Sequence, residues 1–250
     1  MAYLKSVGLG CLLVWGLLLN QQAWAQKVTM VTTPWEPFFS ANLPQGGVIT
    51  EIATAAFERE GHQASIEWYP WVRALKLVEY GSADVVMGAY YSDERAQNYL
   101  YSDPIYDIEV GLMALSELGV DHYQELQDLK QYRIGTMRGW VYTDEFDNAD
   151  FLDKRLIVNQ VAAVRMLFAN RIDLLAASVP VFKHEVSLLK DKVTAENIVL
   201  KPLLGKKQLY LMFSKVGGHT AQLVKSFNSG LAKIRADGTF DKILTKHGFD

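Results

Sequence analysis

Lys27 to Tyr69 reads KVTMVTTPWEPFFSANLPQGGVITEIATAAFEREGHQASIEWY, and its apolar residues follow in turn the periods of a strand, a helix and a strand. Lys27 to Thr32 alternates and is rich in Val and Thr, which predicts a strand. The two prolines of Thr33-Pro34-Trp35-Glu36-Pro37-Phe38 predict an extended loop after it. Beyond Gly46-Gly47, residues Ile49, Ile52, Ala53, Ala56 and Phe57 recur at helical spacing across Val48 to Glu60, and Gly61 suits the end of that helix. Ser65 to Tyr69 predicts a second strand. This order argues for parallel α/β packing.

Outward from this unit, one cassette occurs twice. Trp71 to Tyr80 predicts a helix with Ala74, Leu75 and Val78 on one face; Gly81-Ser82-Ala83-Asp84 breaks it, and Val85-Val86-Met87 predicts a short buried strand. About ninety residues later, Val161 to Ala169 predicts a helix that uses Val161, Val164, Leu167 and Phe168. Asn170-Arg171-Ile172-Asp173 breaks it, and Leu174-Leu175-Ala176 predicts the strand. The repeat argues for two lobes of similar build. An extended linker is expected at Glu109 to Leu115, between Tyr106-Asp107 and the helix-like Gln124 to Lys130, with a return crossing at Leu209 to Ser214. The first lobe would then hold 26–109 and 210–250, and the second 110–209. Two crossings make a hinge, with a ligand cleft between the lobes.

The N-terminus bears on the compartment. Lys5 is followed by the uncharged, mostly apolar Val7 to Leu19 and then by Ala23-Trp24-Ala25 before Gln26. This is the three-part pattern of a cleaved secretory signal, and the apolar run is short for a membrane span. Export to the periplasm with cleavage after Ala25 is expected; an uncleaved N-terminal anchor is the competing reading. Cys11 lies early in the apolar run and lacks the residues that usually precede a lipid-attachment cysteine. Cleavage would remove this only cysteine, leaving no disulfide, thiol nucleophile or thiolate metal site. It would also remove one of the 25 basic residues and no acidic one, so the formal net charge of -3 becomes -4.

At 250 residues, half of them hydrophobic, the chain can bury a sizeable core without staples. Charges of both signs are mixed and no Lys/Arg run occurs, so no nucleic-acid partner is expected. His62, His122, His184, His219 and His247 are scattered without metal-ligand spacing, and neither a metal nor a cofactor is expected. No phosphate-binding glycine loop, nucleophile elbow or paired zinc histidines appear, so an enzyme is not expected. A monomer is.

Four stretches in order along the chain carry a family resemblance. They are the Pro-Trp-Glu-Pro-Phe loop at 34–38; Trp71 followed ten and thirteen residues on by Gly81 and Asp84; Ser92-Asp93-Glu94-Arg95 with Ser102-Asp103-Pro104 seven residues on; and Ala236-Asp237-Gly238-Thr239-Phe240-Asp241-Lys242-Ile243. On these the chain resembles the periplasmic solute-binding proteins of family 3, which serve polar amino-acid uptake transporters. The resemblance implies an α/β, two-lobed periplasmic binding protein of type II, with a central hinge and an interlobe ligand cleft. It implies capture of a small polar ligand, an amino acid or related carboxylate, by lobe closure and its presentation to an inner-membrane ABC permease. A sensing partner of a membrane receptor is the second reading. A dehydratase of small cyclic acids on the same fold, holding its substrate with Arg95 and Arg138, is the third.

The resemblance also implies site residues. Arg95 matches the arginine that holds the ligand carboxylate, a role its rigid fork of donors suits; a surface or interlobe ion pair is the competing reading. Trp35 matches an aromatic that covers the ligand, against a plain core or rim aromatic. Tyr90 and Tyr91 fall where the family places small hydroxyl or backbone contacts. Arg138-Gly139-Trp140-Val141 resembles a glycine-containing loop that opens a helix, whose N–H groups favour anions. Trp140 and Val141 stand where small hydroxyl residues are usual. Ser178 takes the place of the acid that pairs with the ligand's ammonium, a charge serine cannot neutralise. Either Asp144, Glu145 or Asp107 substitutes, or the ligand is not an ordinary α-amino acid.

Overall fold

The computed structural model describes residues 26–189 and 195–249. The secretory-signal reading, with Lys5, Cys11 and the cleavage after Ala25, lies outside these residues.

The first unit is β1 (Lys27–Thr32), α1 (Val48–Arg59), β2 (Gln63–Trp68), α2 (Trp71–Glu79) and β3 (Val85–Tyr90). β1 pairs in parallel with β2 on one side and β3 on the other. Period-two alternation gives each sheet face its own core. Val28, Met30, Val85 and Met87 face one way with Ile49, Ile52 and Phe57 of α1, while Val31, Val86, Ala74 and Val78 gather on the other with α2. A short helix α3 (Asp93–Asn98) and β4 (Tyr99–Tyr101) follow. α3 is capped by Ser92, whose Oγ accepts from the Arg95 N–H at 3.3 Å.

β5 (Tyr106–Leu115) leads into the second unit: β6 (Arg133–Met137), α4 (Asp144–Asp147), β7 (Asp153–Ile157), α5 (Gln160–Phe168), β8 (Leu174–Ser178) and α6 (Val179–Leu189). β6 again lies between its two parallel partners, β7 and β8. The repeat seen in the sequence is therefore a repeated βαβαβ unit with the same strand order. Asp84 and Asp173 hold equivalent places in it. The first accepts the Thr29 N–H of β1 at 2.7 Å and the second the Arg133 N–H of β6 at 2.8 Å.

β9 (Asn197–Val199) and β10 (Gly205–Ser214) precede the closing helices α7 (Thr220–Ala236) and α8 (Thr239–Lys246). The sheet order is β2-β1-β3-β10-β5-β8-β6-β7, with β4 on β10 and β9 on β5. β10 pairs with β5 over Gly205 to Leu209 and with β3 and β4 from Leu209 on. β5 pairs with β10 up to Val110 and with β8 beyond it. These two long antiparallel strands join the units. α7 packs back on α1, where the Phe57 and Phe227 rings lie 5.1 Å apart.

Three local expectations change. The extended linker begins at Tyr106 as a ten-residue strand, because its polar first half pairs with β10. The helix-like Gln124 to Lys130 is a short 3-10 turn, Leu126–Leu129. The loop after β1 is compact: Trp35 N–H donates to the Phe39 carbonyl at 2.7 Å and Phe39 N–H returns to the Trp35 carbonyl at 3.1 Å, with a cis Glu36-Pro37 peptide. Folding back lets Trp35, Phe38 and Phe39 all bury.

Candidate functional site

The turn after β1, the end of β3 and the start of α3 converge on one point of the first unit, and the turn after β6 meets them from the second. Trp35 is the centre. Its ring lies 5.1 and 5.5 Å from those of Phe38 and Phe39, 6.1 Å from Tyr90, and 5.8 Å from Trp140 of the other unit, the last two edge-on. Perpendicular ring pairs at such separations are favourable beyond the area they bury.

Arg95 is fixed on three sides. Its Nη1 donates to the Tyr90 carbonyl at 3.2 Å and its Nη2 to the Gly139 carbonyl at 2.6 Å, while its guanidinium carbon lies 5.5 Å from the centroid of the Trp71 ring. Trp71 Nε1 donates to the same Gly139 carbonyl at 3.0 Å. Burial holds the Arg95 pKa below its ordinary value, against the pull of Tyr101 and Tyr99. Among the described residues no carboxylate forms an ion pair with it.

These residues form a partly open cavity of about 30 Å³ lined by Trp35, Tyr90, Arg95, Trp140 and Val141, together with Thr33, Phe39, Trp71 and Gly88. It has one formal charge, on Arg95, and no acid. Trp35 is 5% exposed and Tyr90 8%, yet among the described residues neither the indole N–H nor the phenol has a hydrogen-bond partner. Burial pushes the Tyr90 hydroxyl well above its usual pKa, so it stays protonated and able to donate.

A wider cleft of about 560 Å³ shares Thr33, Trp71 and Trp140 with this cavity and opens outward past Arg138, Gln160 and Glu185. A second bridge crosses between the units, where His184 Nε2 of α6 meets Glu36 Oε2 at 3.1 Å. Burial pushes Glu185 upward, and the Glu36 carboxyl is held low, first by the Ser40 hydroxyl and then by His184.

Five of the nine expected residues thus line one cavity: Trp35, Tyr90, Arg95, Trp140 and Val141. The other four lie elsewhere. Tyr91 is 45% exposed, donates to Asp93 at 3.0 Å and packs on Tyr101, because adjacent residues at a strand end point to opposite faces. Arg138 is exposed on the outer cleft. Gly139 contributes its carbonyl, not an N–H, and no helix opens there: the turn runs on until Thr143 caps α4. Ser178 ends β8 with its Oγ buried and without a partner among the described residues, but does not line the cavity. Of the substitute acids, Asp144 and Glu145 are exposed on α4. Asp107 is exposed on β5.

Trp71 was legible as the head of a helix and as part of the family spacing with Gly81 and Asp84, but nothing in its own segment points to the Gly139 carbonyl. Glu36 and His184, far apart in sequence, gave no local signal at all. Among the described residues no group of three or more His, Cys, Asp or Glu could hold a metal ion, and no helix is long and apolar enough to cross a membrane.

Comparison with known proteins agrees with this architecture. The lysine/arginine/ornithine-binding periplasmic protein of Escherichia coli (strain K12) is 27% identical over 172 residues, 62% of this chain and 60% of that relative. The chain thus matches about three-fifths of that relative's length. A histidine kinase sensor domain with similarity to periplasmic binding proteins superposes with a TM-score of 0.76 at 17% identity, over 88% of this chain and 95% of that one. A Streptococcus pneumoniae amino acid ABC transporter substrate-binding protein, solved with L-arginine, gives 0.70 at 19% identity, over 88% and 94%. These structures share the two-lobed type II fold. The sequence profile of one family matches residues 28–250, almost the whole described chain, and the chain belongs to it: the bacterial extracellular solute-binding proteins, family 3.

Proposed function

We propose that this protein works in the periplasm, after export and cleavage behind Ala25, as a binding protein that closes two lobes on a small carboxylate-bearing solute, an amino acid or related acid. The lobes would be 26–109 with 210–250, and 110–209, hinged on β5 and β10. The observation that carries this reading is Arg95. A half-buried guanidinium at the wall of an interlobe cavity, held only by neutral carbonyls, is a charge without a counter-ion, and a planar carboxylate is its natural partner. The solute's carboxylate would take the donors now given to Gly139 and Tyr90, while its body extends past Trp71 and Trp140 into the wider cleft. Contact with both lobes exists only on closure, so the solute stabilises the closed form by its differential affinity. Release to an inner-membrane ABC permease follows from that cycle, with a monomer as the working unit and no turnover of the solute.

The test is a thermal-shift screen against carboxylates, amines and sugars. A solute at a hundred times its dissociation constant stabilises by roughly 2.7 kcal/mol, a midpoint shift of roughly 5–10 °C. Hits are expected among carboxylates and should vanish in Arg95→Ala. A folded Arg95→Ala that binds as tightly as the wild type refutes the site.

A further inference from the structure

We infer that the cavity selects carboxylates that carry no amine: the des-amino or 2-oxo form of a molecule over the matching α-amino acid. This rests on the proposed carboxylate site at Arg95 and deepens it.

The argument is an inventory of donors and acceptors. The charged group on the wall is a cation. The two nine-tenths-buried polar side chains without partners there are Trp35 and Tyr90. An indole N–H can only donate, and a phenol kept protonated by burial donates readily. Both therefore call for acceptor atoms on whatever enters, as the guanidinium does. An α-ammonium group would bring up to three donors and a positive charge to within a few ångströms of Arg95.

Among the described residues no carboxylate lines the cavity to meet it. Of the acids whose charge Arg95 feels, Glu94 is exposed on α3 and does not line the cavity, and Asp147 is spent on the Tyr142 N–H at 2.8 Å, with its pKa pushed up by burial. Glu36 is held by Ser40 and His184. Glu185 faces the outer cleft. Ser178, 2% exposed, offers a hydroxyl that cannot neutralise a charge. The edge-on rings of Trp35 and Trp140 instead suit a flat apolar body.

The experiment measures affinity by calorimetry for matched pairs that differ only in the amine: alanine and propanoate, glutamate and glutarate, phenylalanine and 3-phenylpropanoate, tryptophan and 3-indolepropanoate. N-trimethylated phenylalanine tests whether the rings prefer a cation. The expected result is that the tightest pair favours its des-amino member at least tenfold. Tighter binding of the amino acid, or of the trimethylated form, overturns the inference and leaves the Arg95 site standing. Binding of no compound in any pair overturns both. Trp35→Phe keeps a ring and removes the N–H; it should weaken the des-amino ligand several-fold, and unchanged affinity removes the indole donor from the argument.

Discussion

The guanidinium of Arg95 reaches the carbonyl of Gly139 at 2.6 Å, although the two belong to different βαβαβ units. Gly139 has φ +74°, in the left-handed region, and that turn is what aims its carbonyl at both Arg95 and Trp71. Any L-residue there costs about 1–2 kcal/mol, and an added Cβ would lie 3.3 Å from Val72. Gly139→Ala should therefore lower the melting midpoint by several degrees and open the protein, seen as a larger radius of gyration in solution scattering. An unchanged radius would mean that the carbonyl bridge does not hold the units together.

Gly88 governs the opposite wall. A Cβ at this position would stand 2.4 Å from Cζ of the buried Phe39 ring, which could give way only into the cavity that it lines. Overpacking a core by one methyl commonly costs about 1–3 kcal/mol. Gly88→Ala should lower the unfolding free energy read from urea titration by that amount and, by pushing Phe39 and with it Trp35, weaken solute binding as well. Loss of stability with intact affinity would show that the ring cluster and the binding cavity are independent.

The paired aspartates offer a test of the repeat. Asp84→Ala strips the acceptor from the Thr29 N–H, and Asp173→Ala strips it from the Arg133 N–H together with a salt bridge of 2.6 Å. Leaving a part-buried donor unpaired costs about 1–3 kcal/mol, and a surface-accessible ion pair adds little. The two variants should lose similar stability in denaturant titrations. A far larger loss at Asp173 would mean that its ion pair, and not the shared backbone bond, is the structural element.

That repeat was visible in the sequence because helix, break, Asp and apolar strand each leave a local pattern. Less local features were not. α3 has no buried residue, so its six residues show no periodicity, and only the Ser92 cap marks it. The first half of β10, Gly-Lys-Lys-Gln, reads as a loop because its pairing with β5 is a main-chain matter. In the site, Arg95 and Trp35 were found by residue type and motif, whereas Tyr91 was misplaced beside Tyr90 although strand alternation separates them. That Phe39, Trp71 and Thr33 join the cavity could not be read from the sequence, since each reaches it only through folding of distant segments.

The Glu36–His184 bridge gives the closed form a pH dependence whose direction can be worked out. The folded-state pKa of Glu36 is lowered, by the Ser40 hydroxyl first and by His184 after it, with burial opposing them. A carboxyl with a depressed folded value adds stability that is fully present above its unfolded value of 4.5 and is lost as pH falls through the lower, folded value. Glu185, next to His184 on α6, is pushed the other way by burial and interacts with Glu36 and Arg165. A raised carboxyl destabilises once ionised, so its contribution improves in acid and partly masks the loss at Glu36. Melting curves from neutral pH down to about pH 3 should therefore fall less steeply for Glu36→Gln than for the wild type, and more steeply for Glu185→Gln. His184→Ala should flatten the acid limb only in part, because Ser40 still bonds the carboxylate. Parallel curves for Glu36→Gln and the wild type would show that this contact between the units forms without contributing to stability.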